Sequence, residues 1–375
     1  MADFAWLGVE PTSFEASLVP NVRQLSSPLA GAGQTLDLLG ERWRFVVGLP
    51  KSSRFSSGAL EAYLNKLKGG ANRALLWHMA RPQPVGNLGG SPTVNGAVAQ
   101  GAASLVLAGA YPRNNLLRFV QEFDNAAWTK SNAAITANAT TAPNGLVTAD
   151  KLAENIAVST TFFASQTVGS FVAGQSLTFS VYVKAAERTQ ALIRFLAAGA
   201  FGTTALVYVD LAAGALAASS GITGSSISAA GNGWFRVSIT ATTTATGAAT
   251  VSVFTVLTGT NTYVGTVGSG IFVWGAQLEI GTAPSDYQGV GTLFAGDLIG
   301  ANGMLLQVAD DTFANSSGAM TVNLVTRCRK SIANGAAVTW DKPTAPFKPV
   351  DTGGIPVGHA GSIVREMQIE FLEDF

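Results

Sequence analysis

Apolar and polar positions alternate with a period of two along most of this chain, and one stretch switches to a helical period. At 42–47, Trp43, Phe45 and Val47 alternate with Arg42, Arg44 and Val46, which predicts a half-buried strand with both arginines on its polar face. These arginines read either as solvated groups or as contacts to a neighbouring subunit. Over 56–68, Leu60, Tyr63, Leu64 and Leu67 recur at helical spacing. Ser57 is placed to cap that helix, Lys66 and Lys68 suit its C-terminal dipole, and Gly69-Gly70 stops it. Further strands are predicted over 74–79, including Trp77 and His78, and over 103–108, 293–300, 304–308, 320–326, 337–340 and 363–371. The Pro-containing stretch 343–349 reads as a connection. The acidic end Glu373-Asp374-Phe375 reads as surface.

The middle of the chain carries short Val, Phe and Thr-rich runs separated by Gly, Asn and Ser turns. Its alternation assigns faces. Phe179, Val181 and Val183 oppose Tyr182 and Lys184; Ile193 and Phe195 oppose Arg194; Val207 and Val209 oppose Tyr208 and Asp210; Phe235, Val237 and Ile239 oppose Trp234, Arg236 and Ser238. The first member of each set is expected in a core between two sheets. The fold class expected is therefore mainly β. A discontinuous β-rich domain with one helix, built from 1–112 and 289–375, would hold an inserted antiparallel β-sandwich at 113–288.

Composition changes this picture in two ways. Charged residues are 12% of the 375 residues and hydrophobic ones 47%, which favours extensive subunit contacts. The formal net charge of zero argues against a general nucleic-acid binder. One cysteine, Cys328, excludes an intramolecular disulfide, and no apolar run approaches the roughly 18 residues that span a bilayer, so no membrane insertion is expected. The N-terminus lacks the basic and apolar pattern of a secretory signal, which fits synthesis in a cytoplasm.

The outward set, Tyr182, Lys184, Arg194, Tyr208, Trp234 and Arg236, mixes aromatic rings with cations. Sugar recognition uses that mixture, with a ring face against pyranose C–H groups and charged groups on hydroxyls or carboxylates. The same residues also read as packing or subunit contacts, with Gly231-Asn232-Gly233 turning into a structural Trp234. Trp128 and Trp274, in the terminal strands, read as core. Asp124 with Glu279 offers two carboxylates to a calcium ion, too few to assign a metal site.

Several runs carry a resemblance in the right order: NLLRF at 115–119, FDNAAW at 123–128, ADKL at 149–152, LTFSVYVKA at 177–185, NGWFRVSIT at 232–240 and FVWGAQLE at 272–279. Together they resemble the jelly-roll, carbohydrate-binding-like module found inside phage tail and tail-fibre proteins. The flanking WRFVVGLP at 43–50, the run at 294–311 and WDKPTAPF at 340–347 look like a tail-tip or baseplate protein of a long-tailed phage. The resemblance implies a distal tail protein: a virion protein at the tail tip, assembled as a hexameric ring. It implies contacts to tail-tube and baseplate hub proteins, and an inserted module that binds host surface polysaccharide. A receptor-binding fibre component and a glycan-cleaving tail enzyme are the alternatives.

Nothing in the sequence favours catalysis. Of the two histidines, His78 and His359, neither sits in a nucleophile motif, and zinc spacings, a P-loop and a dinucleotide fingerprint are missing, so no cofactor is expected. Asp150, Glu154, Glu187 and Asp210 show no distinctive spacing, although glycosidase carboxylates are often distant in sequence.

Overall fold

The computed structural model describes residues 1–26, 33–38, 40–351, 359–360, 363–364 and 366–375. The protein is mainly β, and Arg54–Leu67 is the α-helix among the described residues. The chain divides into two compact units. One gathers 1–110, 292–314 and 318–375; the other is 111–291 with 315–317.

The first unit is organised on a six-stranded sheet in the order Asp3–Ala5, Arg73–Leu76, Ala345–Pro349, Met367–Glu373, Arg42–Leu49, Ser13–Val19. Trp43, Phe45, Val47 and Leu49 point into one core with Leu76, Phe347 and Phe371, and the helix adds Leu60, Tyr63, Leu64 and Leu67. Burying each such side chain contributes roughly 1.5–3 kcal/mol. Arg44 stays on the other face, where its Nε donates to Glu370 at 2.5 Å and its Nη2 at 2.8 Å across the strand pair. The Arg42 guanidinium lies 5.0 Å from the Phe375 ring centre. Smaller antiparallel ladders complete the unit, including Leu298–Ala301 with Met304–Gln307, joined through Asn302 and Gly303 at φ 49 and 70.

Four expectations are corrected here. The helix begins at Arg54, so Ser57 lies inside its first turn and not at its N-cap. The strand expected over 74–79 ends at Leu76, and His78 is buried beyond it with edge contacts to Phe14, Trp43 and Phe45. The 343–349 stretch supplies the strand Ala345–Pro349 inside the large sheet, because Phe347 stacks on Phe45 at 4.4 Å and the Pro346 carbonyl still accepts from Asp374 N. Glu373 is buried at 1% exposure. Its carboxylate accepts from Trp43 N, Leu305 N and Arg329 Nη2 at 3.1, 3.3 and 2.5 Å, since a charge inside a core must be paired and hydrogen-bonded.

The second unit is a jelly-roll-like β-sandwich of two six-stranded antiparallel sheets. Sheet I runs Thr129–Ser131, Phe163–Phe171, Gly247–Val256, Gln190–Phe195, Ala205–Asp210, Ala215–Ser220; sheet II runs Ala133–Thr140, Ala149–Glu154, Gly270–Ile280, Ser176–Ala185, Trp234–Thr242, Gly224–Ala229. The inward set meets between them: Phe179, Val181, Val183, Val237 and Ile239 from sheet II with Ile193, Phe195, Val207 and Val209 from sheet I. Trp128 joins this core, stacked on Phe123 at 4.4 Å. Asn115 closes the unit. Its Nδ2 donates to the carbonyls of Ala276 and Gln288, both at 3.0 Å, and its Oδ1 accepts from Leu117 N and Leu278 N. Leu116 N donates to Leu278 O at 2.8 Å, so the first and last segments of the unit are tied side by side.

Candidate functional site

Strand register separates the six outward residues. Tyr182 pairs with Arg236 and Lys184 with Trp234, which places these four on one face of sheet II. Arg194 and Tyr208 belong to sheet I, on its face away from the core. The sheets pack core to core, so the expectation of one shared face is corrected to two opposite faces.

The tryptophans of the sheet II face are enclosed by the protein itself, and Tyr182, Lys184 and Arg236 stay partly exposed beside them. Trp234 is 1% exposed, and its indole N–H donates to Thr141 O at 3.0 Å. Trp274 donates likewise to Thr148 Oγ1 at 3.1 Å, and its ring meets Tyr182 and Tyr287 with centroids 5.3 and 4.7 Å away. Ala142 and Ala149 complete a small second core. The Tyr287 hydroxyl, bonded by Gln121, has its pKa pushed up by burial. Lys184 lies 5.9 Å over Trp234, and Arg236 lies 5.6 Å over Tyr182 while donating to Ser180 Oγ. Two backbone devices shape this face. Gly231, Asn232 and Gly233 take φ of 79, 52 and 78, turning the chain into Trp234; Gly275, at φ 62, leaves room where a Cβ would come 2.9 Å from the Tyr182 ring. A tryptophan so enclosed offers no ring face to a sugar, and Trp234 is a packing residue.

The sheet I face has a different character. Leu192, Phe254 and Val256 are buried there, with Phe163, Leu206 and Tyr208 partly buried around them. The Arg194 guanidinium lies 4.3 Å from the Phe254 ring centre and 5.8 Å from that of Phe163, and the two rings are 4.6 Å apart. Leu206 and Ser252 stand directly beside Arg194 across the ladder. Tyr208 donates its hydroxyl to Asn261 Oδ1 at 3.3 Å. Burial lowers the pKa of Arg194 from the ordinary guanidinium value. The result is a half-buried platform of ring, hydroxyl, amide and cation. Alternation identified Arg194 and Tyr208; Phe163 and Phe254 carry the same signal, whereas Asn261 sits in a loop and carries none.

The carboxylates of the unit serve its framework. Glu154 takes a two-point contact from Arg188 at 2.6 and 2.7 Å and also accepts from Tyr263 and Thr266 N. Burial pushes its pKa up, and these donors outweigh that to hold it below the ordinary value. Asp150 accepts from Phe123 N and Asn138 N, and burial pushes its pKa up to about 6. Glu187 pairs with Lys151, and Asp210 accepts from the N–H groups of Ala212 and Ala213. Glu279 is engaged by Ser285 and Gln277. Among the described residues, no group of three or more His, Cys, Asp or Glu side chains is arranged to hold a metal ion, and no helix is long and apolar enough to cross a membrane.

No family model matches the chain, and no curated protein matches it. Among solved structures it is similar to the enzymatically active domain of bacteriophage CBA120 tailspike protein 4, at 14% identity and a TM-score of 0.31, covering 45% of this chain and 22% of that one. It is also similar to TmCBM61 in complex with beta-1,4-galactotriose, at 16% identity and TM-score 0.29, covering 44% of this chain and 99% of that one. The adhesin domain of Epf from Streptococcus pyogenes matches at 12% identity and TM-score 0.24, covering 70% and 95%. At these values each is a distant likeness in shape.

Proposed function

We propose that this chain is a structural tail-tip protein of a long-tailed phage, of the distal tail protein type. In this reading the discontinuous unit assembles as a hexameric ring in contact with tail-tube and baseplate hub proteins. The sandwich is displayed from it to bind host surface polysaccharide without cleaving it. The ordered runs from NLLRF to FVWGAQLE support the phage-tail part of the reading. The observation that carries the binding part is the contrast between the two sandwich faces. On sheet II the tryptophans are buried under neighbouring chain and Tyr182, Lys184 and Arg236 stay partly open around them, whereas sheet I keeps Tyr208, Arg194 and Phe163 partly open over buried phenylalanine.

A shallow platform of this kind buries little of its ligand, so one copy would hold a glycan weakly. Several copies on a ring convert later contacts into intramolecular ones, and avidity then rises by roughly 10²–10⁴-fold. The test uses the purified full chain. Mass measurement and electron microscopy report assembly, binding to host polysaccharide reports adhesion, and reducing-end release reports cleavage. A ring that binds, releases no reducing ends, and loses adhesion on Tyr208→Ala supports the proposal. A monomer at all concentrations removes the ring, and undiminished adhesion by a folded Tyr208→Ala variant removes the platform.

A further inference from the structure

Arg194 is a half-buried cation that has no counter-ion among the described residues. None of the ion pairs formed among the described residues involves it, whereas Arg188 and Lys151 of the same unit pair with Glu154 and Glu187. Its Nε is enclosed and has no hydrogen-bond partner. Its immediate ladder neighbours, Leu206 and Ser252, bring no charge, and Asp210, farther along its neighbouring strand, is turned to the N–H groups of Ala212 and Ala213.

A neutral sugar laid on this platform would strip more water from the guanidinium and return only hydroxyl hydrogen bonds. A carboxylate returns a charge-assisted pair in a setting already half dry, where such a pair is strongest. We infer that the sheet I face selects acidic sugars, the carboxylate meeting the terminal nitrogens of Arg194 while the C–H face of the ring lies against Tyr208. Asn261, already bonded to the Tyr208 hydroxyl, sets the orientation of that ring and has an amide nitrogen left for a sugar hydroxyl. This inference rests on the glycan-binding reading and narrows it to one class of glycan.

The test exposes the full-length protein to an array of oligosaccharides that includes uronate- and sialate-bearing members, each beside its carboxyl-reduced counterpart. Binding should concentrate on acidic members and fall at least tenfold on carboxyl reduction. Arg194→Gln should bring an acidic glycan down to the level of its reduced counterpart, and Arg194→Lys should retain part of the difference. The comparison of each glycan with its reduced form needs only the unaltered protein, so it stands even where a variant fails to fold. Equal binding to acidic and reduced members overturns the acidic-sugar inference and leaves glycan binding intact. Binding to no member of the array overturns both.

Discussion

Removing the Glu373 carboxylate should be among the most damaging single changes available in the discontinuous unit. Arg329 is 6% exposed, and its Nε and Nη1 already lack acceptors; Nη2 is held by Glu373 Oε1 and Leu305 O at 2.5 and 3.2 Å. Glu373→Ala leaves that charge buried without its anion and also strands the N–H groups of Trp43 and Leu305. Breaking one side of a buried pair costs about 3–5 kcal/mol, a large part of the roughly 5–15 kcal/mol that holds a domain together. Glu373→Gln keeps one acceptor but removes the anion as well, so it should recover only a minor part of that cost. Hydrogen exchange resolved by segment is the assay. Amides of 42–49 and 304–307 should lose about 2.2 to 3.7 orders of magnitude of protection, at 1.36 kcal/mol per tenfold. Adding Arg329→Met to Glu373→Ala should recover part of the loss, because the unpaired charge goes with it. A Glu373→Ala variant within 1 kcal/mol of the parent, or a double variant no better than the single, would refute the argument.

Three further outcomes follow from packing and titration. Burial among aromatic rings lowers the pKa of His78 from 6.5 to about 4, so the unfolded chain takes up the proton first as pH falls. Stability of its unit should be complete above pH 6.5 and decline towards pH 4 by roughly 3 kcal/mol; His78→Leu should flatten that slope in denaturant midpoints. Gly275→Ala forces φ 62 on a side chain aimed at Tyr182 and Tyr287, and should lower stability by at least about 1 kcal/mol with a change in near-ultraviolet circular dichroism. Tyr263→Phe removes one donor from Glu154 while the Arg188 pair and the Thr266 N–H remain, and should cost about 1–2 kcal/mol; a neutral result would mean that these two satisfy the carboxylate without it.

What could be read from sequence followed local periodicity. The strand carrying Trp43, Phe45 and Val47, the apolar stripe of the helix and the inward faces of the sandwich all came from spacing alone, because a core demands the same side of each element repeatedly. Periodicity says which way a side chain points within its strand but not which sheet the strand joins. Alternation therefore groups Arg194 and Tyr208 with four residues that lie across the core from them. Trp234 points outward as its spacing required and is buried all the same, since Thr141 and its neighbours fold over it. Glu373 reads as surface for a related reason: nothing local to it shows that Arg329, 44 positions earlier, meets it in the core.

The clasp at Asn115 has a mechanical meaning. Its side chain bonds both edges of the passage through the sandwich, reaching Ala276 and Gln288 from the opening segment. A pull applied to residues 111 and 291 is borne first by this short staple and by the Leu116–Leu278 bond. The strands between are spared the load, as slack rope is spared by a knot tied at its neck. A surface gripped through Tyr208 and Arg194 would load the sandwich from the other side, through sheet I. Tension from outside and tension along the backbone would then travel by separate routes, and the staple could yield without releasing the grip.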